Sequence, residues 1–162
     1  MRAIVQEVPV AHLLLIGEGP YREHLQALVR KYALDDHISF IGRIQYADLP
    51  QYICIGEIFA MPSRSRFFGL EVEGLGIVYL EASACGLPVI AGASGGAPDA
   101  VIDGTTGVVV DGLDSAAIAV AAINLLNNPT QARLMGQAGR RWIVEKWHWQ
   151  IWADAFKKLI NE

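Results

Sequence analysis

Five short apolar runs, separated by glycine or proline turns and by helical patterns, set the limits on how this chain can fold. His12 to Gly17 reads HLLLIG, Ile38 to Gly42 reads ISFIG, and Ile58 to Met61 reads IFAM before Pro62. Val89 to Ala91 and Gly107 to Val110 are the fourth and fifth. A strand with one wet face alternates apolar and polar residues. A continuous apolar run belongs to a strand covered on both faces, as in a parallel sheet between helices. Strands that alternate with helices predict an α/β protein: a Rossmann-like parallel sheet with flanking helices. Ligands of such sheets bind beyond the carboxyl ends of the strands. The glycine-rich pieces at Gly17 to Gly19, Gly42, Ser63 to Gly76 and Gly92 to Gly96 all follow strands. They are expected to gather along one edge.

The helical patterns fill the intervals. Arg2 to Val10 reads as the tail of a helix closed by Pro9, since the residue before proline disfavours helix. Leu25, Leu28, Val29 and Tyr32 make a stripe at helical spacing. Ala47 to Gly56 carries a shorter pattern in which Leu49, Tyr52, Ile53 and Ile55 pack. Ser115 to Leu126, Thr130 to Lys146 and Trp149 to about Ile160 close the chain. Trp142 and Trp149 are expected to pack within the domain. Trp152 and Phe156 lie four apart on one helical face and are open to either side. The loop from Ser63 to Val72 is longer than a strand–helix connection needs, and such loops often carry function.

That loop leads into E-G-L-G-I-V-Y-L-E, from Glu73 to Glu81. Leu75, Val78, Tyr79, Ala82 and Cys85 fall at i, i+3, i+4, i+7 and i+10, which predicts a helix over Gly74 to Cys85. A glycine-rich helix start leaves N–H groups free at the positive end of the macrodipole, a place for phosphate. Eight helical residues span roughly 12 Å. Carboxylates at either end of that span suit a ligand with a sugar, a diphosphate and a ribose in line. The plain alternative is an amphipathic helix with two solvated glutamates.

Bulk properties exclude other classes. With 162 residues, 52% of them hydrophobic and 19% charged, one domain with a full core is expected. A net charge of -4 and no basic run give no footprint for nucleic acid. No apolar run approaches bilayer length, and the N-terminus lacks the parts of a signal peptide. Cys54 and Cys85 stand in apolar contexts with no nearby pair and read as reduced core thiols, which fits the cytoplasm. Gly17-Glu18-Gly19 fails as a dinucleotide fingerprint because Arg22 stands where the third glycine belongs. His12, His24, His37 and His148 are scattered, so no metal is expected. No Walker lysine motif and no Gly-x-Ser-x-Gly occurs.

Five blocks in order carry a resemblance. They are LLLIGEGPY at Leu13 to Tyr21, ISFIGRI at Ile38 to Ile44, IFAMPS at Ile58 to Ser63, EGLGIVYLEASACGLPVIA at Glu73 to Ala91, and SGGAPD at Ser94 to Asp99. Together they resemble the C-terminal, donor-binding half of a retaining glycosyltransferase of family 4, with the GT-B fold. The chain looks closest to bacterial mannosyltransferases that act on phosphatidylinositol mannosides. The resemblance covers nearly the whole chain, residues 1–162, as one nucleotide-sugar donor-binding domain. It implies that Glu73 is the catalytic contact, touching hydroxyls of the donor sugar and holding charge at its anomeric carbon. It implies that backbone N–H groups around Gly74, Leu75 and Gly76 hold the diphosphate, and that Glu81 takes both ribose hydroxyls. Arg43 and Ile44 would border the base, and Gly19 would contact the donor unless it serves only as a turn glycine. Gly95 and Gly96 are open between contact and a tight bend, Asp99 between contact and a helix cap, Arg64 and Arg66 between phosphate and solvent.

The resemblance further implies a nucleotide-sugar substrate, GDP-mannose, and no metal or other cofactor. Relatives carry an Arg and a Lys after an earlier strand that neutralise the diphosphate. This chain is expected to begin after that point, without the acceptor domain. Alone it is then expected to be inactive, and membrane contact falls to the absent domain, at the inner membrane. An open sheet edge also allows self-association. A second reading stays open: a nucleotide-binding or interaction module of the same fold that performs no transfer. A nucleotide-sugar epimerase is a third.

Overall fold

The structure, a computed structural model, describes Met1–Asn161. Helix α1 (Arg2–Glu7) leads into strand β1 (Leu13–Ile16), and α2 (Arg22–Lys31) connects it to β2 (Ile38–Gly42). A turn at Tyr46–Asp48 opens α3 (Leu49–Cys54), followed by β3 (Phe59–Met61), α4 (Ile77–Ala84), β4 (Val89–Gly92) and β5 (Gly107–Val110). Three helices finish the chain: α5 (Ser115–Asn127), α6 (Pro129–Lys146) and α7 (Trp149–Ile160).

Every strand pairing is parallel, as the unbroken apolar runs require. The strands nevertheless form two sheets, β1-β2 and β3-β4-β5. β1 lies with Leu13 opposite Ile38, and β3 with Phe59 opposite Val89. β4 is flanked on both sides and is buried at every residue. β1, equally apolar in sequence, is only half-buried at all four positions. The expectation that HLLLIG is buried on both faces is therefore corrected. Among the described residues β1 has a strand on one side only, so its other edge, like that of β3, is bare.

Successive residues of β4 point to opposite faces, and each face has its own core. Ile90 joins Ile4 of α1, Ala119, Ala122 and Leu125 of α5, and Met135 of α6. Val89 and Ala91 join Ile53 of α3, Tyr79 and Ala82 of α4, and Val101. Each fully buried Val or Ile of this strand contributes about 1.5–3 kcal/mol. Asp114 begins α5 firmly: its Oδ1 accepts the N–H groups of Ala116 and Ala117, each at 2.9 Å.

Several local expectations change. Ile55 is 68% exposed and does not pack, because α3 ends at Cys54. Trp149 is 83% exposed rather than packed in the domain. Trp142 is half-buried, edge-to-face with Trp147 at 5.6 Å. Trp152 donates its indole N–H to the Lys146 carbonyl at 3.1 Å, and Phe156 stays outside at 64% exposed. The cysteines are also corrected. Cys54 is exposed and Cys85 half-buried. They lie where α3 packs on α4, and burial first and then the nearby Cys54 raise the pKa of the Cys85 thiol.

Candidate functional site

Glu73 is held from three sides. β3 ends at Met61, and two residues on Ser63 donates its hydroxyl to Glu73 Oε2 at 3.1 Å. The backbone N–H of Glu73 donates to Ser94 Oγ at 3.3 Å, and its carbonyl accepts the Gly96 N–H at 3.0 Å. The loop after β4 lies so close that a side chain at Gly95 would run into the Glu73 carbonyl, and one at Gly96 into the Gly74 carbonyl. These glycines let one backbone lie against another.

Beneath Glu73 is a hydroxyl chain. Tyr79, fully buried, donates to the Met61 carbonyl at 2.7 Å, and its oxygen lies 3.0 Å from Ser63 Oγ. Three contacts are served by two hydroxyl protons. When Ser63 gives its proton to Glu73, the Tyr79 proton divides between Met61 and Ser63. Burial raises the Tyr79 pKa above its ordinary value, the charge of Glu73 adds to this, and the bond with Ser63 opposes it.

The helix after Glu73 is shorter than its periodicity indicates. Gly76 has φ 74° and ψ 65°, a left-handed conformation, so α4 starts at Ile77 instead of Gly74. The stripe still describes its inner face, for Tyr79 and Ala82 are fully buried. Ahead of it, the N–H groups of Gly74, Leu75, Gly76 and Ile77 have no hydrogen-bond partner among the described residues. They form a short row of donors at the positive end of α4.

Glu81 is one turn from the end of the same helix. Its Oε1 accepts the Tyr46 hydroxyl at 2.9 Å. Tyr46 is 78% exposed. Its pKa is raised by that hydrogen bond first and by the carboxylate's charge second. Tyr46 stands two residues after Ile44 and three after Arg43. The segment beyond β2 is thereby brought to Glu81. Arg43 is exposed and Ile44 half-buried.

The remaining candidates separate. Gly19 is exposed in the turn after β1 and helps line a shallow cavity of about 240 Å³ with Gly17, Glu18, Arg22 and Phe40 among others. Its φ is ordinary and nothing crowds its Cα, so the turn does not require glycine there. Arg66 pairs with Glu71 at 3.4 Å across the loop, and Arg64 is exposed. Asp99 is exposed in the short turn at Ala97–Ala100. A larger cavity, about 310 Å³, runs along α6 at Gln137, Arg140 and Val144 and includes neither glutamate. No group of three metal-ligating side chains occurs among the described residues.

Sequence reasoning did not single out Tyr46, Ser63, Tyr79 or Ser94. Ser63 and Ser94 were visible as the polar residues that end or begin two of the quoted blocks. Tyr46 had no such signal, because its bond to Glu81 spans 35 positions.

The model for "Glycosyl transferases group 1" matches residues 1–142. The chain is 50% identical over 156 residues to the GDP-mannose-dependent alpha-(1-6)-phosphatidylinositol monomannoside mannosyltransferase of Mycolicibacterium smegmatis, covering 96% of this chain and 41% of that protein. The GDP-mannose-dependent monoacylated alpha-(1-6)-phosphatidylinositol monomannoside mannosyltransferase of Corynebacterium glutamicum is 42% identical, with 99% and 42% covered. Among solved structures, sucrose-phosphate synthase from Thermosynechococcus elongatus superposes with a TM-score of 0.84 at 33% identity, over 99% of this chain and 40% of that one. The chain thus spans about two fifths of the relatives it matches. Its α/β architecture is that of the C-terminal half of GT-B glycosyltransferases. A family match over most of the residues, and half of all positions shared with one member, place this chain in the glycosyl transferases group 1 family.

Proposed function

We propose that this chain is the donor-binding part of a glycosyltransferase that moves mannose from GDP-mannose to a lipid or glycan acceptor, with retention at the anomeric carbon. The observation that carries the reading is the row of free N–H groups from Gly74 to Ile77, with Glu73 just before it and Glu81 one turn further along α4. In this reading the row takes the donor diphosphate, and Glu81 takes the ribose hydroxyls in place of Tyr46. Glu73, fixed through Ser63 and Ser94, contacts the sugar and stabilises charge at its anomeric carbon. Arg43 and Ile44 border the base, and Gly19 lets the phosphates approach the turn after β1. The relatives named as GDP-mannose-dependent support the choice of base and sugar.

The chain alone is proposed to be inactive. Transfer needs the leaving diphosphate neutralised and an acceptor held in line, and among the described residues no hydrogen bond or ion pair fixes a cation at the N–H row. Turnover of GDP-mannose with a phosphoinositide acceptor by the purified chain would overturn that point. In a longer protein the proposed place of action is the cytoplasmic face of the inner membrane. No helix of the described residues is long and apolar enough to cross it. The bare edges of β1 and β3 support self-association by strand pairing, which a strictly monomeric sedimentation profile at high concentration would contradict.

The decisive experiment titrates GDP-mannose, GDP, UDP and ADP against the chain and its variants. Tighter binding of GDP-mannose than of GDP is expected. Glu81→Gln should weaken both about tenfold, the loss of one charge-assisted bond. Glu73→Gln should remove only the preference for the sugar. Nucleotide binding without sugar preference would favour a non-catalytic nucleotide-binding module, and no nucleotide binding would refute the donor-site reading.

A further inference from the structure

We propose that Cys54 and Cys85 are a thiol pair that closes to a reversible disulfide by exchange with a low-molecular-weight disulfide. The two residues are far apart in sequence and meet through the packing of α3 on α4. Cys54 is the last residue of α3, and Cys85 caps the C-terminus of α4. Cys85 Sγ lies 4.0 Å from the Pro50 carbonyl oxygen. Pro50 and Cys54 are four apart in α3 and so share one helical face. The Cys85 sulfur therefore lies along the face that carries Cys54. Both cysteines stand at helix ends, where the backbone can adjust to the roughly 4 Å Cβ separation a disulfide needs.

Exposure gives the two thiols different parts. Cys54 is exposed and open to a small disulfide, whereas Cys85 is half-buried behind it. In the first step the Cys54 thiolate attacks one sulfur of the small disulfide. The S–S bond breaks, its electron pair leaves with one small thiolate, and a mixed disulfide remains on Cys54. In the second step the Cys85 thiolate attacks Cys54 Sγ and expels the second small thiolate. The protein loses two electrons and two protons, and the small disulfide becomes two thiols.

The second step is the slow one. Burial, then the hydrogen bond and charge of Cys54, push the Cys85 thiol up to about 11, against the pull of the Arg140 guanidinium. Only the thiolate attacks. The small thiol group on Cys54 removes the charge of Cys54 and leaves burial to hold the Cys85 thiol up, so closure should quicken as pH rises above neutral. The bond, once made, ties the end of α3 to the end of α4. The hydrogen bond from Tyr46 to Glu81 joins the turn just before α3 to the same helix α4.

The test treats the folded 162-residue chain with oxidised glutathione at pH 7, 8 and 9, quenches with acid, digests without reductant and maps the peptides by mass. A peptide joining Cys54 to Cys85 is expected, more abundant at each higher pH and released by dithiothreitol. Cys85→Ser should instead accumulate glutathione on Cys54, and Cys54→Ser should show little change. The proposal is overturned if the native chain stops at the Cys54 mixed disulfide as Cys85→Ser does. It is equally overturned if the link forms only between chains, or only after the protein is unfolded in urea.

Discussion

Replacing Gly76 by alanine tests whether the turn before α4 is built as described. The residue has φ 74°, a region that costs an L-residue roughly 1–2 kcal/mol. Its new Cβ would fall inside van der Waals contact of the Tyr79 ring at Cδ2 and Cε2. The ring has little room to retreat. It is fully buried, its hydroxyl is held by Met61 at 2.7 Å, and its edge meets Phe59 at 6.3 Å between centroids. Overpacking of this kind costs about 1–3 kcal/mol, and a strained bond to a buried carbonyl adds about 1 kcal/mol. The sum is about 3–6 kcal/mol, a large share of the ~5–15 kcal/mol that holds a domain together. Urea unfolding followed by circular dichroism measures it directly. Gly74→Ala is the control, since Gly74 has open space and no left-handed φ. It should change stability by less than about 1 kcal/mol. If Gly76→Ala were as mild as Gly74→Ala, the left-handed turn and its contact with Tyr79 would be refuted.

Other substitutions probe single contacts. Tyr46→Phe removes the hydroxyl that occupies Glu81 Oε1, so GDP should bind more tightly by calorimetry; weaker binding would mean that Tyr46 holds Glu81 in place for the ligand. Asp114→Ala leaves the N–H groups of Ala116 and Ala117 without their acceptor and should cost about 1 kcal/mol by thermal unfolding. Tyr79 has a folded pKa above its ordinary value near 10. Below pH 10 it is protonated whether folded or not and adds no slope. Above pH 10 the unfolded chain releases the proton first, so the stability Tyr79 contributes is lost as pH rises towards the folded value. Tyr79→Phe should flatten that alkaline loss in denaturant midpoints read at successive pH values.

The parts of this fold that were legible in sequence depend on repeated local signals. β4 and the inner face of α4 follow from apolar runs and helical spacing, and the glycine-rich loops after strands marked the edge where Glu73 sits. The start of α4 was misread because the apolar stripe continues through Leu75, while the left-handed Gly76 breaks the helix after it. Gly76 carries no signal that separates this role from a flexible start. The half-buried state of β1 was hidden because composition records apolar character but not the number of neighbouring strands. The meeting of Tyr46 with Glu81, and of Cys54 with Cys85, depends on how α3 lies on α4. No window of sequence contains that packing.

The division of the sheet has a consequence for how the molecule comes apart. β4 is hydrogen-bonded on both sides and lies between two cores, so its amides can exchange with solvent only when the whole domain opens. Among the described residues β1 and β2 pair only with each other and share no strand with β3-β4-β5. Their loss leaves the three-stranded sheet with its helices intact. Two cooperative units are therefore expected inside one continuous chain: protection from exchange should fall sharply between β4 and β1, and unfolding should depart from a single two-state transition.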